Sequence, residues 1–401
     1  MAGNCLIVQS GGPTAVINNS MVGLLDQMKL TGMKGKVYGS IGGIHGLINE
    51  SFIDLSTLSD NDCHRLRWTP GAALGTCRHK LTGDEVDQIV NLLKRKEIRY
   101  FFYIGGNGSM NVAKLIDDRA KTMGFDLVVV GVPKSIDNDV MGTDHSPGYG
   151  SAAKFLATSI LDMKMDVASF PYSERITIIE TMGRHTGWLA AACSLATCQT
   201  DANQNLVYIP EVPFHLEECL MKVMQAHEEK RDTFVIVAEG IKNDKGQLIN
   251  EKDVEFDALG RPKLGGVSTY LQAVIGSETG IETRSIAPSI WQRSSMLLSS
   301  KTDVQEAYEL GKQSWMYAEK GYSSIMVGLD REENIQHDYV IAYRPKPLAS
   351  AAGKEKFVPI DWYDEKGNTM TAEFIKYAEP LIQGEVSLPM ERGLPIYQHV
   401  I

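Results

Sequence analysis

The chain has 401 residues, with 40 basic side chains against 50 acidic ones and a net charge of −10 when histidines are neutral. Its 43% hydrophobic and 22% charged content is that of a globular protein long enough for two or three domains. The acidic balance argues against general nucleic-acid binding, and no apolar run reaches the roughly 18 residues of a membrane helix.

In chain order, 4–9 reads as a strand, Gly11-Gly12-Pro13 as a turn, and the residues from Thr14 on as a helix. Asp84 to Lys96 has helical periodicity. Tyr100 to Ile104 is aromatic and β-rich, hence a strand. Gly105-Gly106-Asn107-Gly108-Ser109 follows, then a helical pattern from Met110 to Ala120 with Ser109 as its expected cap. Strand, glycine turn and helix together aim backbone N–H groups at an anion. Leu127 to Val130, closed by Gly131 and Pro133, reads as a buried parallel strand. It opens onto Lys134-Ser135-Ile136-Asp137-Asn138-Asp139. Ligands of open α/β sheets bind at the carboxyl ends of such strands. There, one carboxylate can take a proton, the other can hold a metal and the lysine can face a phosphate, which is the equipment of phosphoryl transfer.

Further on, helical patterns at Ser151 to Val167, Gly187 to Ala196, Leu216 to Glu228 and Val304 to Ala318 alternate with strand-like runs. Those runs are Arg175 to Ile179, Phe234 to Ala238 and Ile325 to Val327. Alternation implies α/β architecture, with mainly parallel sheets covered on both faces. The charged region 242–263 reads as a surface excursion, and periodicity weakens from Arg344 onward. Six cysteines lack CxxC spacing, so neither a disulfide framework nor a zinc site is expected. The amino terminus enters a strand without signal-peptide architecture, so the expected location is cytoplasmic. An acidic chain must concentrate cations locally to hold a sugar phosphate. Arg78, Lys80, Lys134, Arg175, Arg184, Arg284 and Arg293 each fall in or beside a glycine-rich or acid-bearing loop.

These segments resemble the phosphofructokinases. The resemblance is carried by Gly11-Gly12, 74–78, 105–109, 133–139, Gly142-Thr143-Asp144, Glu180 to Arg184, Ala238-Glu239-Gly240, Glu282-Thr283-Arg284 and Gln292-Arg293. The surroundings at 69–75 and 142–153 look most like the bacterial pyrophosphate-dependent branch. The resemblance implies two Rossmann-like three-layer domains with the active site in the cleft between them. Residues 1–147 plus about 292–345 would bind the phosphoryl donor and 148–291 the sugar phosphate. Residues 346–401 would be an extension packed on the body.

The implied reaction phosphorylates the 1-hydroxyl of fructose 6-phosphate, a glycolytic step using Mg²⁺. Asp137 would be the general base, with Lys134 and Arg184 neutralising the transferred group. Gly11, Gly12, Arg78, Gly106, Asn107, Gly108 and Ser109 would bind the donor, and Asn107 and Asp139 the metal. Ser135, Ile136, Asp137, Arg175, Met182, Gly183, Arg184, Glu239, Arg284, Ile290 and Arg293 would bind the sugar phosphate. In relatives the residues matching Arg175 and Arg284 come from a neighbouring subunit, so a homodimer or homotetramer with shared sites is expected.

Relatives restricted to pyrophosphate carry Asp at the position of Gly108, where it repels the ATP α-phosphate. Gly108 therefore favours ATP as donor, with pyrophosphate as the alternative. Ile290, where relatives have His or Tyr, leaves open a related phosphosugar such as sedoheptulose 7-phosphate. Asn107, where many relatives have Asp, leaves open a catalytically weak phosphosugar-sensing subunit.

Overall fold

The computed structural model describes residues 3–170, 174–197, 205–230, 232–250, 264–332 and 339–401. The expected surface excursion lies outside the described residues from 251 to 263. Apolar runs long enough to be buried on both faces supply most of the strands. Those of the two larger sheets are β1 (Asn4–Gln9), β2 (Val37–Ser40), β3 (Phe52–Asp54), β4 (Ile98–Gly105), β5 (Val128–Pro133), β6 (Arg175–Thr181), β7 (Leu206–Tyr208), β8 (Asp232–Ala238), β9 (Glu282–Ile286), β10 (Ile325–Glu332) and β11 (Val340–Pro347). The chain divides into two units. The first comprises 1–151, 293–356 and 384–401, and the second 152–292 and 357–383. The segment expected as one C-terminal extension is thus shared between the two.

The first unit holds a seven-stranded sheet in the order β11-β10-β5-β4-β1-β2-β3. Strands β2, β1, β4, β5 and β10 are parallel, while β3 and β11 add antiparallel edges. Side chains alternate between two cores. Cys5, Ile7, Tyr100, Phe102 and Val130 meet the helices Ile17–Leu30 and Lys301–Glu319 on one face. Leu6, Val8, Phe101, Tyr103 and Val129 meet Gly83–Arg95 and Asn107–Thr122 on the other. Trp315 anchors the first core, its ring 5.0 Å from Tyr100 and its Nε1 donating to the Thr31 hydroxyl at 2.8 Å.

Two helix starts differ from expectation. The helix after β1 begins at Ile17, not Thr14. The helix after β4 begins at Asn107 with Gly106 in the capping position, which puts Ser109 inside its first turn. Ser109 is buried there, against Gly105.

The second unit holds a four-stranded parallel sheet, β7-β8-β6-β9. Ile176, Ile178 and Phe234 to Val237 are buried in it. Residues 357–383 pack here through Trp362, Phe374 and Tyr377, whose rings surround Trp188. No helix among the described residues is long and apolar enough to cross a membrane.

Helices Ile17–Leu30 and Lys301–Glu319 cross at two glycines. A Cβ on Gly311 would sit 2.1 Å from the Ser20 carbonyl oxygen, and one on Gly23 would sit 2.0 Å from that of Tyr308. Gly311→Ala gains about 1 kcal/mol of helix propensity. Overpacking against a backbone carbonyl costs about 1–3 kcal/mol, so the net effect is destabilising. A lower urea midpoint is the expected result; a higher one would mean that the helices part freely.

Candidate active site

Register makes the first half of the site. Gln9 is level with Ile104 across β1 and β4, and Gly105 is level with Pro133 across β4 and β5. Three loops therefore leave the sheet side by side, where the chain reverses its direction of strand addition and open sheets bind ligands. The first is the Gly11–Gly12 turn, which closes on a lysine from the third. Lys134 Nζ donates to the Gly12 carbonyl at 2.6 Å, and its own N–H donates to Gly105 at 3.0 Å. Gly11 has φ +78, and a Cβ there would come within 3.3 Å of Lys134 Nζ. A Cβ on Gly12 would lie 3.2 Å from Arg293 Nη1.

Lys134 is thus enclosed beside a second cation and two carboxylates. Burial pushes its ammonium down to about 8, opposed by Asp137 and Asp139 and reinforced by Arg293. The acid loop is braced internally. The Ser135 hydroxyl donates to Asp139 Oδ1 at 2.8 Å and accepts from the Asp137 N–H at 3.1 Å. Asn107 Nδ2 donates to Asp139 Oδ2 at 2.8 Å and to its carbonyl at 3.0 Å, which ties the second loop to the third. Ile136 is buried, and Asp137 is half-buried.

Asn107 Oδ1 is buried without a hydrogen-bond partner. An orphaned oxygen beside a carboxylate is the hard donor set that a phosphate-bound divalent cation takes, the remaining ligands being phosphate and water. No cluster of three or more metal-binding side chains occurs among the described residues. The residues therefore fit a cation carried in with a phosphate, and no cluster among them amounts to a protein-only cage.

Polar residues that sequence reasoning passed over hold the loop 69–78. Gln9 donates to Asn18 Oδ1 at 2.9 Å and accepts from the Leu74 N–H at 2.9 Å. Asn18 donates to the Thr69 carbonyl at 2.8 Å, and the Thr76 hydroxyl to that of Gly11 at 2.8 Å. Arg78 is exposed two residues past Thr76. Gly108 is exposed, and a Cβ there would meet nothing within 4 Å.

The second unit builds its own group of loops. Thr181 is level with Ala238, so Met182-Gly183-Arg184 and Glu239 leave β6 and β8 together. Glu239 N–H donates to Thr181 at 2.9 Å and Gly240 N–H to Gly183 at 3.1 Å. Gly183 has φ +140, which a Cβ would strain. The buried Gln292 accepts the Met182 N–H at 3.1 Å, a role that the sequence did not announce. Ile290 lies two residues before it and is 62% exposed.

Arg175 and Arg284 stand elsewhere. Arg175 opens β6 and donates to Glu282 at 3.3 Å, while Arg284 pairs with Thr177. At about 3.3 Å per residue they lie roughly 20 and 13 Å along β6 from Thr181. Arg284 Nε and Nη2 are buried without hydrogen-bond partners. Within one chain these arginines do not join Arg184.

Residues 4–315 match the phosphofructokinase family. The chain belongs to the phosphofructokinase family. It is accordingly a phosphotransferase with an alcohol acceptor. A pyrophosphate–fructose 6-phosphate 1-phosphotransferase of Halomonas elongata is 36% identical over 399 residues, covering 98% of this chain and 94% of its own. A sulfofructose kinase of Alkalicoccus urumqiensis is 31% identical over 360 residues, covering 90% and 92%. The crystal structure of a pyrophosphate-dependent phosphofructokinase from Marinobacter aquaeolei superposes with a TM-score of 0.89 at 33% identity, covering 99% of this chain and 96% of its own. The phosphofructokinase fold expected from the sequence is the fold observed. The relatives' names turn the weight from ATP, which Gly108 favoured, toward pyrophosphate.

Behind the acid loop lies a buried histidine between two carboxylates. His145 Nδ1 is 2.8 Å from Asp144 Oδ1, and its Nε2 is 2.6 Å from Glu306 Oε2. Burial opposes the charge, but Glu306 and Asp144 outweigh it and raise the imidazole to about 9. Because the folded value is raised, the stabilisation is full below about pH 6.5 and is lost as pH rises through about 9. Urea midpoints should therefore fall between pH 7 and 10, and His145→Gln should flatten that fall. An unchanged slope in the variant would show that the histidine is neutral in the folded state.

Proposed function

We propose that this phosphofructokinase transfers a phosphoryl group from pyrophosphate to the 1-hydroxyl of fructose 6-phosphate. The observation that carries the proposal is the enclosed Lys134 ammonium at the Gly11–Gly12 turn, with Arg293 beside it and Asp137 within its field. Two cations over a glycine turn suit a compact dianionic group. Full-length relatives named for pyrophosphate give the same donor.

In this reading the Asp137 carboxylate takes the proton of the 1-hydroxyl as that oxygen attacks phosphorus. The bond to the bridging oxygen breaks and inorganic phosphate leaves. Lys134 neutralises charge on the transferring group, as does Arg184. Mg²⁺, held by Asp139 and Asn107 Oδ1, would supply further neutralisation of the phosphate oxygens when bound. Ser135, Ile136, Met182, Gly183, Glu239 and Ile290 are the sugar-phosphate contacts, and Arg293, beside the Gly11–Gly12 turn, serves both the donor and the sugar phosphate. Arg175 and Arg284 serve the 6-phosphate of a second copy's site. Arg284 Nε and Nη2, buried without hydrogen-bond partners, support this role, since unsatisfied guanidinium donors favour an anion supplied from outside.

A second reading, ATP as donor, is favoured by Gly108 alone. That position is open, so an aspartate enters without steric cost and a substitution there reports on the donor rather than on folding. The deciding assay supplies the purified protein with fructose 6-phosphate, Mg²⁺ and either donor in turn. Turnover with pyrophosphate is expected; turnover with ATP alone would reverse the choice. Gly108→Asp should abolish any ATP use and spare pyrophosphate use, whereas persistent ATP turnover would move the donor pocket away from position 108. Asp137→Ser should lower turnover by about 10²–10⁴ while sugar-phosphate binding persists, and an unchanged rate would remove Asp137 as the base.

A further inference from the structure

The Asp137-Asn138-Asp139 loop is gripped from behind by a segment that lies past the family match, which ends at residue 315. Asn138 is fully buried and has φ +53, a left-handed backbone that a non-glycine residue keeps only when its surroundings hold it. Its Oδ1 accepts from the Ser146 N–H at 3.0 Å and from Lys356 Nζ at 3.3 Å. Lys356 Nζ also donates to the carbonyls of Asp144 at 2.5 Å and Thr143 at 3.3 Å. An ammonium has three donors, and three oxygens around one turn lie within 3.3 Å of Lys356 Nζ. The grip is continuous with the backbone. Lys356 N–H donates to the Asp139 carbonyl at 2.8 Å, and Glu355 pairs with Val140 in an antiparallel bridge.

We infer that Lys356 is a positioning residue for phosphoryl transfer. By fixing Asn138 in its left-handed turn, it sets the direction of the carboxylates on either side, Asp137 and Asp139. Asn138 is the hinge between them, so relaxation of its φ rotates one carboxylate against the other. The inference rests on the reading of Asp137 as the base. It assigns to the C-terminal region a part in the chemistry, where the sequence offered only an appended segment.

The test is a double-mutant cycle in steady-state turnover with fructose 6-phosphate, crossing Lys356→Met with Asp137→Ser. A small misplacement of a reacting group costs on the order of 10²-fold, so Lys356→Met should lower kcat by about that factor with KM for the sugar phosphate unchanged. In the Asp137→Ser background the same change should cost little, because no base remains to be misdirected. Lys356→Arg, which restores a cationic donor, should recover part of the lost kcat. Equal losses in both backgrounds, a rise in KM that accounts for the loss, or an unaltered kcat would each overturn the inference. If Asp137→Ser is crippled while Lys356→Met is normal, the positioning role alone falls. If Asp137→Ser keeps full turnover, the base assignment falls and takes this inference with it. Should Lys356→Met fail to fold, Lys356→Gln, which retains a donor, goes through the same cycle with the same criteria.

Discussion

Parallel hydrogen bonding that sets Ile104 beside Gln9, and Pro133 beside Gly105, brings three chain reversals to one edge of one sheet. Each reversal is weak as a binding element. A glycine turn offers N–H groups, a helix start offers a partial positive charge, and an acid loop offers carboxylates. Placed level, they interlock: the lysine of the third loop bonds to the first, and the asparagine of the second bonds to the third. A slip of one residue in β5 would send Lys134 to the opposite face and undo both ties.

The energetics of that edge favour an incoming anion. An ammonium enclosed beside a guanidinium is costly without compensation, and its lowered affinity for protons records the cost. Asp137 and Asp139 offset part of it, and in the proposed mechanism they must also remain available for chemistry. In the proposed reading, a diphosphate satisfies the two cations directly and brings oxygen ligands for a metal that Asp139 and Asn107 would share. On that reading, binding and catalysis draw on one set of charges.

Strands with continuous apolar sequence were legible, and so were the loops that follow them, because burial on both faces leaves a strong signal in β1, β4, β5, β6 and β8. Short or polar strands were not. β9 reads Glu-Thr-Arg-Ser-Ile and lies on a sheet edge, where half-exposure removes any apolar run. β2, β3 and β7 have three or four residues each, too few to show a period. The helix after β4 starts before Ser109, with Gly106 in the capping position and no side-chain cap. Gln9 and Asn18, and the bracing role of Gln292, escaped notice since their partners are distant in sequence, and polar residues in loops carry no periodicity. Donor choice is legible only in part: Gly108 speaks for one donor and the full-length relatives named for pyrophosphate for the other.

Neither unit is contiguous in the chain. The seven-stranded sheet takes β10 and β11 from after residue 292, and its surface takes Gln398, whose N–H donates to Thr69 at 2.9 Å. The aromatic nest around Trp188 waits for Trp362, Phe374 and Tyr377. On the ribosome, then, an early half cannot finish while the later half is still being made. Synthesis must pass Pro347 before the larger sheet is complete and Tyr377 before the second core closes, and until then the apolar strands made earlier lack part of their cover.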